Sequence, residues 1–154
     1  MKNLTKLSFI IALSYSMLSI TLPALITPFE TGSLSVIVNT NEAPTNISLS
    51  NLKSVLKGEK QRWKDGTKIT LAFMKTSTNI GSEMSHRVFD MSEKQLNKYF
   101  LAQVFQGKMS SPEFFDSETD LLNFVKNTKG TIAVIKAGNS SGLKTITVDG
   151  KTSF

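Results

Sequence analysis

The one local stretch that points to binding chemistry is Lys75-Thr76-Ser77-Thr78-Asn79, followed by Ile80 and Gly81. Between a strand and a helix, hydroxyls and free backbone N–H groups converge on an anion at the positive end of the helix dipole. Thr76, Ser77, Thr78 and Asn79 each carry a donor, and Lys75 adds a positive charge. Capping of the helix selects the same residue types, so these residues taken alone leave both readings open.

Little else in the sequence offers reactive chemistry. His86 is the single histidine and cysteine is absent, which leaves no second nitrogen or sulfur ligand for a zinc site and no thiol nucleophile. His86 reads as a surface residue. The G-x-S-x-G elbow, the phosphate loop of nucleotide hydrolases and the Gly-rich dinucleotide fingerprint are all missing from the sequence. Glu113, Asp116, Glu118 and Asp120 fall near an expected helix start, where negative charge complements the dipole. The expectation is a protein that is not an enzyme and uses no cofactor or metal.

The elements around Lys75–Asn79 follow from periodicity and caps. Leu34–Val38, with its β-branched run, predicts a strand covered on both faces, and residues 39–48 a polar loop. Ser48 caps a short helix carrying Leu49, Leu52 and Leu56 on one stripe and ending at Gly58. Asp65-Gly66 marks a turn beside Trp63, which reads as a packing residue, and Ile69, Leu71 and Phe73 alternate into a second strand. Ile80, Met84 and Val88 then recur at helical spacing.

Ser92 with Gln95 has the capping-box form and opens a helix bearing Leu96, Phe100, Gln103 and Val104, which stops near Gly107. Ser117 opens another with Leu121, Phe124 and Val125, Gly130 breaks it, and Thr131–Ile135 and Leu143–Val148 read as strands. Alternating strands and helices predict an α/β fold.

A chain of 154 residues, 40% of them apolar, has room for one domain core. Its start differs from the rest. Lys2 and Lys6 precede an apolar run from Leu7 to Leu22, with Pro23 and Ala24 behind it, the pattern of a signal peptide over residues 1–24. Ser8, Ser14, Ser16, Ser19 and Pro23 fit poorly with a membrane anchor, and no cysteine is present to carry lipid. The expected product is a periplasmic or secreted domain over 25–154 without a stable membrane anchor. Loss of Lys2 and Lys6 leaves 16 basic residues against 12 acidic ones, a net charge of +4. That mild, dispersed excess predicts no nucleic-acid partner and supports only a modest pull on anions.

Taken in order, residues 36–66, 69–89, 130–135 and 143–154 resemble the phosphate-binding periplasmic proteins of ABC transporters. Leu49, Leu52, Leu56, Gly58, Trp63, Asp65 and Gly66 stand at places comparable to that family's leucine-rich helix, tryptophan and aspartate-glycine turn. The family's ligand loop follows the next strand, with an arginine and a Ser-Gly-Thr segment at a helix start. Here Lys75 stands near the arginine, and residues 76–82, TSTNIGS, replace the Ser-Gly-Thr core.

The resemblance implies a mixed sheet flanked by helices, like one lobe of a type 2 periplasmic-binding protein. It also implies a small oxyanion such as phosphate held by Ser77, Thr78 and Asn79 with help from Lys75. Two lobes normally close on the ligand, and the mature length suits about one. An ABC permease or second protein would then complete the cleft. The alternative is a periplasmic accessory or protein-interaction module that has lost the ligand.

Overall fold

The computed structural model describes residues 33–154, and the expected signal segment 1–24 lies outside them. Six strands form one sheet in the order β2-β6-β1-β5-β3-β4. In chain order these are β1 (Leu34–Val38), β2 (Asn46–Ile47), β3 (Thr70–Met74), β4 (Glu113–Phe115), β5 (Thr131–Lys136) and β6 (Lys144–Val148). β1 pairs antiparallel with both β5 and β6, whereas β3 lies parallel to β4 and β5, and β2 parallel to β6. Among the described strands, β1 alone therefore runs against the rest. The carboxyl ends of β3, β4 and β5 consequently open onto one edge of the sheet.

Helices cover both faces, which is why β1 and most of β3 and β5 are buried along their length instead of alternating. On one face α4 (Glu118–Asn127) sets Leu121 and Val125 against Ile37, Ala72, Met74 and Ile135. On the other, α1 (Leu49–Leu56), α2 (Asn79–Arg87) and α3 (Glu93–Phe105) bring Leu52, Met84, Leu96 and Phe100 onto Val36, Phe73, Ile132 and Val134. The domain is the mixed α/β layer arrangement expected.

Each helix starts where a hydroxyl can satisfy its first orphan N–H groups. Ser48, Thr78, Ser92 and Ser117 are the caps, and Ser92 with Gln95 forms the full capping box. α1 stops as Gly58 takes a φ of 78°, a conformation that costs other residues a Cβ clash. Two strands were not expected from the sequence. β2 falls in the segment expected as loop, and β4 lies in the acidic stretch assigned to a helix start. Trp63 is buried and its Nε1 donates to Gly130 O at 2.8 Å, which ties the turn at residues 63–66 to the start of β5.

Candidate functional site

Lys75–Asn79 leaves the carboxyl end of β3 and enters α2, as the strand-loop-helix reading requires. Lys75 N donates to Phe115 O at 2.8 Å, prolonging the β3–β4 ladder by one residue. The chain then reverses within four residues. Lys75 O accepts from both Thr78 N at 2.9 Å and Thr78 Oγ1 at 2.8 Å, and that hydroxyl accepts from Gly81 N at 3.1 Å. One threonine thus closes the turn and caps the helix.

Gly81 is buried and packs directly on this turn. A Cβ at that position would lie 2.0 Å from Lys75 O and 2.8 Å from Met74 O, so only glycine lets α2 begin so close to the end of β3. The close approach aims the helix start, with its partial positive charge, at the space beside the loop. Among the described residues the N–H groups of Ser77, Asn79 and Ile80 meet no acceptor, and the Ser77 and Asn79 side chains are exposed.

The remaining loop groups are already engaged. Lys75 Nζ pairs with Asp116 Oδ2 at 2.5 Å, and Thr76 Oγ1 accepts from Asn97 Nδ2 at 3.0 Å. Asp116 follows β4, so its carboxylate stands against the Lys75 end of the loop, and Glu118 opens α4. Glu118 holds the loop after β5 by accepting from Lys136 N and Asn139 Nδ2, both at 3.0 Å. The acidic cluster is therefore divided among several jobs. Glu113 belongs to β4, Asp116 pairs with Lys75, Glu118 straps a loop, and Asp120 lies in the first turn of α4.

Neither Asp116 nor Asn97 was foreseen, because each reaches the loop from an element distant in sequence. His86 is exposed on α2, with Nε2 3.2 Å from Glu93 Oε1. Ser82 Oγ also donates to that oxygen, and chiefly this bond holds the Glu93 carboxyl below its ordinary value of 4.5. A depressed folded value contributes stability above the ordinary glutamate range, and the contribution is lost as pH falls through the folded value. A carbon-13 titration of the Glu93 carboxyl is expected to show its midpoint below 4.5. A midpoint at or above that value rejects the Ser82–Glu93 bond in solution. Among the described residues no group of three or more His, Cys, Asp or Glu is placed to hold a metal.

The six-stranded sheet flanked by helices matches one lobe of the type 2 periplasmic-binding proteins. Solved structures to which the chain is similar include phosphate-binding proteins. The chain is similar to PstS from Borrelia burgdorferi, with 26% identity and a TM-score of 0.56 over 78% of this chain and 48% of that one. It is similar also to an ABC-type phosphate transport receptor from Vibrio cholerae, with 16% identity and a TM-score of 0.62 over 80% and 49%. A phosphate-binding protein from Stenotrophomonas maltophilia matches at 10% identity and a TM-score of 0.56 over 76% and 39%. The chain spans about half the length, or less, of these structures. No family model and no curated protein matches it.

Proposed function

We propose that this chain is an exported, non-catalytic binding protein that holds a small oxyanion such as phosphate at Lys75–Asn79. The signal segment 1–24 would carry it to the periplasm or outside the cell, and cleavage would release the domain 25–154. Among the described residues no helix is long and apolar enough to cross a membrane. The observation that carries the reading is the row of N–H groups at Ser77, Asn79 and Ile80. They lie at a helix start on the carboxyl edge of the sheet, where open α/β folds take their ligands.

One wall covers only part of a ligand, and a small-molecule site normally buries most of it. Affinity of the isolated chain is expected near millimolar, about −4 kcal/mol, until an ABC permease or another protein supplies the opposite wall. Isothermal titration with phosphate, sulfate and molybdate tests this. Silence with all three, at protein concentrations near millimolar, rejects the anion site.

Asp116 supplies a sharper test, because its carboxylate competes for Lys75 and repels the ligand. Asp116→Asn is expected to tighten oxyanion binding about fivefold, the scale of one exposed charge contact. Weaker binding in this variant overturns the placement of the anion beside Lys75.

A second reading has its own support. Lys75, Thr76 and Thr78 spend their polar groups on Asp116, Asn97 and the helix cap, as in a lobe kept for protein contact after its ligand was lost. Silent titrations together with a stable partner captured by crosslinking in the envelope select this accessory role.

A further inference from the structure

α3 carries apolar residues on two opposite sides, and only one of them is used by the core. Leu96 and Phe100 are buried, whereas Leu101 is 59% and Phe105 83% exposed. Lys94, Lys98, Leu101 and Phe105 follow one another at i, i+4, i+7 and i+11, which places them on a single ridge about 16 Å long. All four are exposed. Single exposed apolar residues are ordinary. Here Leu101 also borders a groove of about 190 Å³ that continues through Val104, Pro112 and Phe114, so the apolar surface is contiguous.

Lysines predominate around this surface. Ser111 links the groove to a neighbouring recess lined by Lys60, Lys68 and Ser110, and Lys108 follows the end of α3. No ion pair among the described residues involves Lys60, Lys68, Lys94, Lys98 or Lys108. Glu113, which also lines the recess, is the one acid in either lining.

We propose that this face docks on an anionic phospholipid surface. Phe105 and Leu101 enter the boundary between headgroups and acyl chains, and the lysines engage lipid phosphates beside them. The pairing of a narrow apolar ridge with unpaired lysines is what such a surface recognises. A second copy is the poorer occupant. A two-fold contact centred on Leu101 and Phe105 turns Lys98 of one molecule toward Lys108 of the other, bringing like charges together. The face adjoins Lys75–Asn79 through Asn97, which lines the groove and bonds Thr76, but the lipid proposal does not depend on the oxyanion reading.

Flotation of the full chain with vesicles tests the proposal, using phosphatidylcholine alone or mixed with phosphatidylglycerol. Binding is expected to rise at least about tenfold with the anionic lipid and to fall as salt is added. It is expected to drop about tenfold in Leu101→Ser/Phe105→Ser and again in Lys94→Glu/Lys98→Glu. Because Trp63, the single tryptophan, is buried, the F105W variant reports insertion directly, through a blue shift of its emission on the mixed vesicles. Binding unaltered by either double variant, or F105W emission that stays at its solvent-exposed wavelength, overturns the proposal. So does a dimer in solution that Phe105→Ser converts to monomer, which assigns the face to a second copy.

Discussion

Gly81→Ala is expected to lower the stability of the domain by about 3 kcal/mol and its melting temperature by roughly 10 °C. It is also expected to abolish oxyanion binding at Lys75–Asn79. Inside a helix this substitution normally stabilises by up to about 1 kcal/mol, since alanine has the higher propensity. The sign is reversed by the backbone beneath it. The added Cβ would meet Lys75 O at 2.0 Å and Lys75 C at 2.6 Å, and peptide groups at the end of a strand paired on both sides do not yield as a side-chain tip does. α2 must then lift from β3, which breaks the 3.1 Å bond from Gly81 N to Thr78 Oγ1 and withdraws the free N–H groups from the loop. Thermal unfolding and titration on the same sample check both effects. An unchanged or raised melting temperature means that α2 does not start against the strand.

The case of Gly81 shows where sequence reading stops. That a strand, a hydroxyl-rich turn and a helix occupy residues 70–87 was legible, because caps and periodicity are local properties. The distance between α2 and Lys75 O was not legible. It depends on the angle at which the helix meets the sheet, and that angle is set by Met84 and Val88 settling into the main core. The same division runs through the fold. Ser48, Ser92 and Ser117 announce their helices, but β2 and β4 have two and three residues, too few to display a period, and exist because β6 and β3 offer them edges.

The charge arrangement at the site was hidden for the same reason. Four acids between residues 113 and 120 look alike in sequence. They are told apart by partners at Lys75, Lys136 and Asn139, which the sheet order alone brings near. The stripe read on α3, Leu96 to Val104, named its inward side well. It passed over Leu101 and Phe105, whose exposure becomes a question only once the core is seen to close without them.

Phe73→Ala is expected to cost about 4 kcal/mol, the usual loss when a fully buried phenylalanine is truncated to alanine. Phe73 is 0% exposed and joins three elements and the turn after α2. Its ring stacks on Phe100 of α3 at 5.5 Å, meets Phe89 after α2 edge-on at 6.1 Å, and tilts against Phe114 of β4 at 6.1 Å. Alanine therefore opens a cavity shared by three layers of contact that cannot all collapse toward it. With the whole domain worth on the order of 10 kcal/mol, the melting temperature is expected to fall by roughly 15 °C. Phe73→Leu keeps most of the volume and loses mainly the aromatic geometry, so about 1.5 kcal/mol is expected there. Phe100→Ala combined with Phe73→Ala is expected to cost less than the two single losses added, because the stacked pair can be lost only once. Phe105→Ala, one turn beyond Leu101 on the same helix, serves as the contrast. Its ring is 83% exposed, so the melting temperature is expected to move by less than about 2 °C. Equal effects at Phe73 and Phe105 contradict the division of α3 into a core side and an outward ridge.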